Sequence, residues 1–249
     1  MCMIRANNAY TYKGSTVNTP LINWQSPDTA EKRTMASQLE ARIRQDIING
    51  HLAPGSRLRL KELADAYDAG VIPLREALSR LANSGFVSAA DQKGFSVGQI
   101  SAAEIADITA VRLHVECKAL ADSIRQGNVE WESRVLAAHH RLDRLTIVEG
   151  PERLLKPEWE HAHEVFHQAL ISSCDSPTLL RLCSSLRDQT ARYRFLSMHY
   201  SESTARDVPD EHRQLMEAAL AKDIDKACEL LSSHYQTTTD SVLKHALLG

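Results

Sequence analysis

The segment E-H-A-H-E-V-F-H, residues 160–167, carries three of the eleven histidines in a chain of 249 residues. Residues four apart lie on the same face of an α-helix, so His163 and His167 can point at one ion, whereas His161 points elsewhere. Two imidazoles on one helix make half of a site for zinc, nickel or a similar metal. The pair alone would also suit surface histidines or hydrogen-bonded core histidines, so a metal site requires further ligands.

Two later histidines are candidates for those ligands. His212 lies in E-H-R-Q-L-M-E-A-A-L and His234 in L-L-S-S-H-Y-Q, close to the end of the chain. Both segments have the apolar spacing of a helix packed on one face, which directs the two imidazoles toward the interior of a helical domain.

The second half of the chain has only helical patterns, and no strand signal follows residue 101. Breaks at Gly127-Asn128, Gly150-Pro151, Ser176-Pro177 and Val208-Pro209 separate the patterns. The predicted helices span about 102–126, 130–148, 157–173, 177–200, 206–221 and 223–246. Short connections between helices favour an antiparallel bundle, here assigned to residues 101–246.

The first half has a different organisation. Residues 1–30 lack periodicity and are predicted to form a disordered arm, and the next domain is expected at 31–99. An apolar stripe at Leu39, Ile43 and Ile47 predicts a first helix, 61–67 a second, and a third starts near Pro73 and ends at Gly85. F-V-S-A-A-D-Q-K-G-F-S-V then predicts two strands around a turn. The fold class is therefore mainly α, with an N-terminal winged helix-turn-helix before an all-helical bundle.

A recognition helix needs hydrogen-bond donors near its N-terminus and positive charges beside them. Arg75 and Arg80 lie on the third helix, Lys61 begins the second, and Lys93 with Gly94 forms the turn between the strands. Residues 31–100 hold ten basic against eight acidic side chains, and 101–249 hold 17 against 23. Each charge alone would suit an ordinary solvated surface, but the ordered set of turn, helix and wing favours binding to double-stranded DNA.

Composition limits the cellular setting. No apolar run approaches the roughly 18 residues of a membrane span, and the N-terminus lacks the pattern of a secretion signal. The five cysteines are scattered without a C-x-x-C motif, which fits a reducing compartment. We therefore expect a cytoplasmic protein without a membrane partner.

The segments I-R-Q-D-I-I-N-G-H-L-A-P-G-S-R-L, P-L-R-E-A-L-S-R-L-A-N-S-G-F-V and Q-K-G-F resemble the GntR family of bacterial transcription regulators over residues 35–98. The resemblance implies a bacterial protein that joins the nucleoid when bound to DNA. It also implies that Arg75 reads bases in the major groove and that Gly94 is the wing-tip glycine. It also places Lys61 where an arginine is usual. The chain departs from the family at Val71, where a DNA-contacting arginine is usual, so the standard operator sequence is not expected.

The segments V-R-L-H-V-E-C-K-A-L-A, F-H-Q-A-L-I-S-S-C and E-H-R-Q-L-M-E-A-A-L are similar to the FCD effector domain of the FadR branch of that family, over residues 101–240. Metal-binding members carry an aspartate at the position of His163, so the resemblance implies a site of His163, His167, His212 and His234. Four neutral imidazoles favour zinc or nickel over manganese or magnesium.

The resemblance also implies a small organic acid as effector, with Arg112, Tyr193 and Arg194 as candidate contacts. E-W-E-H-A-H-E-V-F-H and A-R-Y-R-F are similar to the carbon-starvation, glutarate-responsive repressors of the branch, which makes a C5 dicarboxylate the first candidate.

Three functions are compatible with these residues. The first is an effector-controlled transcription regulator, expected to be a homodimeric repressor rather than an enzyme. The second is a regulator in which the metal itself is the signal. The third is a metal-dependent enzyme, which is disfavoured because no motif places a base or nucleophile beside the histidines.

Overall fold

Helices make up most of the protein in the computed structural model, which describes residues 34–90, 94–150, 154–200 and 206–244. Within these ranges the side chains of residues 149, 154 and 194–200 are not described. The predicted arm at 1–30 lies outside the described residues, as does the turn residue Lys93. The prediction of a mainly α protein with an N-terminal winged helix-turn-helix and a helical domain after it is confirmed.

The N-terminal part is a three-helix unit with a small antiparallel sheet. Its elements are α1 (Met35–Ile48), β1 (Arg57–Leu58), α2 (Leu60–Tyr67), α3 (Val71–Asn83), β2 (Val87–Ala90) and β3 (Gly94–Val97). The sheet order is β1-β3-β2, so β3 pairs with both neighbours, with Ser96 opposite Arg57 on one side and Ser88 on the other.

Local sequence explains where these helices begin and end. The Thr34 hydroxyl accepts a hydrogen bond from the Ser37 N–H at 3.2 Å and caps α1. The predicted apolar stripe Leu39, Ile43 and Ile47 is buried. Gly85 follows α3 with φ +80°, a conformation that a residue with a side chain rarely adopts.

Two details differ from the sequence prediction. Helix α3 begins at Val71, two residues before Pro73, which occupies the first turn, where its missing N–H is tolerated. Strand β1 was not predicted, because two residues are too few to show a period of two.

The C-terminal part consists of α4 (Ala102–Gln126), α5 (Val129–Asp143), β4 (Val148–Glu149), β5 (Leu154–Leu155), α6 (Pro157–Leu170), α7 (Pro177–Tyr200), α8 (Val208–Leu220) and α9 (Ile224–Val242). Helix α4 packs on α7 and α9, and α5 packs on α6 and α8. The expectation of no strand after residue 101 is wrong, since β4 and β5 pair as an antiparallel hairpin. For the same reason α5 ends at Asp143, before the predicted residue 148.

The contacts between the two parts include polar bridges. Arg44 on α1 pairs with Asp188 on α7 at 3.0 Å. The Gln45 amide donates to the Leu155 carbonyl at 3.1 Å, which gives the β4–β5 hairpin a role in joining the parts. Among the described helices, none is long and apolar enough to cross a membrane.

Candidate functional site

Four histidines converge inside the helical part. Helix α6 carries His163 and His167, α8 carries His212 and α9 carries His234. One nitrogen from each lies within 4.8 Å of the others, and all four residues are buried. The Nε2 atoms of His163 and His167 are 3.1 Å apart. His161 is exposed on the same helix. The structure therefore brings the four predicted ligands together and leaves His161 outside the cluster.

The cluster is arranged for neutral imidazoles. Burial, reinforced by nearby positive groups, lowers the pKa of His167 and of His212 well below the usual histidine value. Neutral imidazole is the form that binds metal. Within the described residues, His212 Nε2 is buried without a hydrogen-bond partner. A buried polar atom of this kind requires an explanation, and a metal ion held by four nitrogens supplies one.

Polar groups behind the cluster orient two of the rings. The Glu211 carboxylate contacts His234 Nδ1 at 2.7 Å, and the Tyr235 hydroxyl contacts His167 Nδ1 at 3.3 Å. Arg206 holds Glu211 through two hydrogen bonds of 2.7 Å. Burial opposes ionisation of Glu211, but the bonds from Arg206 and His234 lower its pKa to about 2. A carboxylate behind a histidine is the usual support of a metal ligand.

A small cavity adjoins the histidines. Its wall contains three of the clustered histidines, two arginines, several hydroxyl side chains and one apolar side chain. The lining residues are Ile105, Thr109, Arg112, His163, His167, Arg187, Thr190, Tyr193, His234, Tyr235, Thr238 and Thr239. A molecule in this cavity would therefore contact the histidine cluster and the buried arginines at once.

The cationic side of the cavity has an excess positive charge. Arg112 Nε donates to Glu116 at 2.8 Å and Arg187 Nη1 donates to the same carboxylate at 3.4 Å. Burial opposes ionisation of Glu116, but the two guanidinium groups lower its pKa, so it remains charged. Two cations thus share one anion. Among the described residues, Arg187 Nε is buried without a hydrogen-bond partner. The arrangement suits a carboxylate ligand.

The predicted effector contacts differ in their surroundings. Arg112 donates to the Thr190 hydroxyl at 2.8 Å and its guanidinium stacks 3.8 Å from the Tyr235 ring centre. Tyr193 lines the cavity, but its hydroxyl donates to Glu104 at 2.5 Å. The side chain of Arg194 lies outside the described residues.

Sequence reasoning missed Arg187. It lies four residues after Cys183 and four before Ala191, both fully buried, so it occupies the apolar stripe of α7. An arginine at such a position is buried only when it has a partner. An arginine on the apolar stripe of a predicted helix was therefore the sequence signal that could have identified Arg187.

The predicted DNA contacts lie on the winged unit. Arg75 is exposed on α3, and Lys61 is exposed near the start of α2. Gly94 is exposed at the start of β3 with φ +79°. Arg80 instead pairs with Glu76 at 2.5 Å and with Glu40 at 3.4 Å, so its charge is engaged within the protein.

Comparison with known protein families identifies the family to which the chain belongs. Residues 35–97 match the family described as bacterial regulatory proteins, gntR family, and residues 107–237 match the FCD domain. The chain belongs to the GntR family and carries an FCD domain. This GntR regulator is therefore a DNA-binding transcription regulator, and the prediction that it is not an enzyme is confirmed.

Curated relatives support the assignment. The protein is 38% identical over 221 residues to the HTH-type transcriptional regulator BphR of Paraburkholderia xenovorans (strain LB400), covering 88% of this chain and 89% of the relative. It is 36% identical over 210 residues to the HTH-type transcriptional repressor GlaR of Escherichia coli (strain K12), covering 83% and 94%.

Solved structures share the fold of this GntR regulator. E. coli McbR/YncC superposes with a TM-score of 0.65 at 20% identity, over 85% of this chain and 98% of the other. A putative GntR regulator from Rhodococcus sp. RHA1 gives 0.62 at 24% identity, over 84% and 97%.

Proposed function

We propose that this GntR regulator is a homodimeric, cytoplasmic repressor that releases its operator when a small organic acid occupies the cavity. The observation that carries the proposal is a single cavity lined by convergent imidazoles and by two buried arginines. GlaR of E. coli and a 24% identical relative in Paenarthrobacter nicotinovorans, a probable D-xylose utilization operon transcriptional repressor, are named as repressors, which supports the sign of regulation.

The residues fit a divalent metal. His163, His167, His212 and His234 would hold it, and four neutral nitrogens favour zinc or nickel over harder ions. When bound, such an ion attracts an anionic ligand as a Lewis acid. The chain itself keeps His167, His212 and His234 neutral through burial, which lowers the pKa of each imidazole. It orients two of the rings through Glu211 and Tyr235.

A dicarboxylate offers one anionic group to each of the two sets of partners in the cavity wall. One carboxylate would face the histidine cluster and the other would face Arg112 and Arg187, whose charges exceed that of Glu116. A C5 diacid is the first compound to test, because the sequence resembles glutarate-responsive repressors.

Helix α7 provides a route from the cavity to the DNA-binding unit. Thr190 lies in the cavity wall, and Arg192, two residues later, donates to the carbonyl of Gly85, which follows the C-cap of α3. An effector that moves α7 would change the placement of α3 in each protomer. A two-fold operator requires a fixed spacing between two recognition helices, so the altered population would bind DNA more weakly.

The metal part is tested on protein without a histidine tag. We expect about one zinc or nickel ion per chain by elemental mass spectrometry, lost in the His163→Ala/His167→Ala double variant. The matched control is His161→Ala, which removes an exposed imidazole from the same helix and should retain the metal. An absence of metal from the native protein and from the control would overturn this part.

The effector part is tested by thermal shift and by operator binding. Glutarate and its C4 and C6 homologues should raise the melting temperature and weaken binding to a selected operator. A diacid that binds without changing operator affinity would contradict the regulatory mechanism. Reversible control of DNA binding by zinc or nickel alone would instead show that the metal is the signal.

A further inference from the structure

The first turn of α3 presents two apolar side chains to solvent. Ile72 is 84% exposed and Val71 is 49% exposed, and Ile72 has the highest value among the exposed large apolar residues in the described part of the chain. The later apolar residues of the helix, Leu74, Leu78 and Leu81, are fully buried. The two exposed residues therefore do not serve the core of the protein.

A positively charged group lies beside these apolar residues. Arg75 follows Val71 by four residues and Ile72 by three, so all three share one face of α3. Arg75 is exposed, and within the described ranges its guanidinium forms no hydrogen bond or ion pair. Farther along the helix, Ser79 donates to the Arg75 carbonyl at 2.8 Å and Glu76 pairs with Arg80. The groups left to contact a partner on this face are Val71, Ile72 and Arg75.

The major groove offers chemistry that matches this surface. Thymine is the base that presents a methyl group there, and apolar side chains contact it, whereas arginine pairs with the O6 and N7 atoms of guanine. An isopropyl or sec-butyl group over a guanine or cytosine edge would bury polar atoms without a partner, which is unfavourable. Valine and isoleucine in the first turn thus select thymine by attraction and disfavour the other bases by desolvation.

We infer that Val71 and Ile72 read thymine methyl groups next to a guanine read by Arg75 in each operator half-site. The inference rests on DNA binding through α3 and specifies which bases that surface selects. The partner is double-stranded DNA rather than a protein, because the apolar pair is continuous with the free Arg75 on the recognition helix.

The test begins with selection of bound sequences from a random double-stranded DNA pool by the full-length protein. The selected sites should contain thymine next to a shared guanine. Each such thymine is then replaced by deoxyuridine, which removes only the methyl group. We expect roughly fourfold weaker binding per methyl, the effect of one buried methylene-sized group. Deoxyuridine at thymines elsewhere in the site should have no effect.

The Val71→Ala/Ile72→Ala variant distinguishes a side-chain contact with the methyl group from an effect of the missing methyl group on DNA stiffness. It should bind the thymine and deoxyuridine sites equally, and its thermal unfolding should match the native protein because both side chains are exposed. The inference would be overturned if deoxyuridine weakened binding equally in the native and double-alanine proteins. It would also be overturned if the selected sites had no thymine at these positions. Failure to select any sequence would instead count against DNA binding itself.

A gain-of-contact variant gives an independent measurement. Val71→Arg should shift the selected base opposite residue 71 from thymine to guanine, since arginine pairs with guanine. An unchanged thymine preference at that position in Val71→Arg would also contradict the inference.

Discussion

Arg192 donates a hydrogen bond of 2.9 Å to the main-chain carbonyl of Gly85, the residue that follows the C-cap of α3. The same guanidinium pairs with Glu104 on α4 at 2.5 Å, and the Tyr193 hydroxyl donates to that carboxylate as well. Thr190, in the same turn of α7, lies in the cavity wall. One turn of helix therefore contacts the cavity, the start of α4 and the end of the recognition helix.

Replacement of Arg192 should uncouple effector binding from DNA release. In Arg192→Gln the effector should bind with nearly native affinity, but its effect on operator affinity should fall from the 5- to 150-fold range typical of allosteric coupling to about twofold or less. Calorimetry measures the first quantity and fluorescence anisotropy with labelled operator the second. Arg181→Gln, an exposed position earlier on α7, is the matched control. Full coupling in Arg192→Gln would exclude this route.

Gly98 makes room for the same contact. A Cβ at this position would lie 2.4 Å from Arg192 Nη1 and 2.7 Å from the Gly85 carbonyl oxygen. Gly98→Ala should therefore weaken coupling and lower the free energy of unfolding by about 1–3 kcal/mol, the usual effect of overpacking. Denaturant unfolding checks the stability, with Gly70→Ala as control because its Cβ would lie 3.5 Å from its nearest neighbour, an ordinary contact. Native stability in Gly98→Ala would show that the chain shifts to accept a methyl group.

The carboxylate behind His234 should set metal affinity without binding the ion. Glu211→Gln should weaken zinc or nickel binding by about 10- to 100-fold, as found when such supporting groups are removed. Competition with a chromogenic chelator measures the change. Glu217→Gln, an exposed carboxylate on the same helix, should leave the affinity unchanged. Equal affinities for Glu211→Gln and the native protein would remove Glu211 from the site.

His163→Asp should change which metal is preferred. Carboxylate oxygen is a harder ligand than imidazole nitrogen, so manganese binding should rise relative to zinc or nickel. Elemental analysis after dialysis against equal concentrations of the three ions provides the comparison. An unchanged metal ratio in His163→Asp would mean that this position does not contribute a ligand.

The two arginines predicted to bind DNA should differ in effect. Arg75→Ala should weaken operator binding by about 1–3 kcal/mol and relax the base preference at one position. Arg80→Ala should have a smaller effect, because Glu40 and Glu76 already engage Arg80. Titration of labelled operator at two salt concentrations compares them. A larger loss in Arg80→Ala would reverse the assignment and require the ion pairs to open on DNA.

The sequence predicted features that depend on local spacing. Helix α4 ends at Gln126, before the predicted break at Gly127-Asn128, and α7 begins at Pro177, because caps and proline fix these bounds within a few residues. The pair His163 and His167 was found through the helical repeat. Strands β4 and β5 were missed, since two residues each show no period.

Features that depend on tertiary pairing were not predictable in the same way. Glu116 is buried because Arg112 on its own helix and Arg187 on α7 both reach it, and only the first partner lies at helical spacing. Arg206 and Glu211 became interpretable only once α9 placed His234 beside them. Helical spacing gives no signal for contacts between helices that are distant along the chain. The convergence of His212 and His234 on α6 was predictable only because the sequence resembles a known effector domain.

The order of the elements along the chain has a consequence for synthesis on the ribosome. The elements that read DNA are complete by Val97, whereas the fourth imidazole, His234, lies on the last described helix. A nascent chain therefore contains all of its DNA-reading elements long before it can assemble the histidine cluster. A premature stop codon between these two points would leave the DNA-reading unit without a complete sensor, and such alleles should differ in phenotype from missense changes in the cavity.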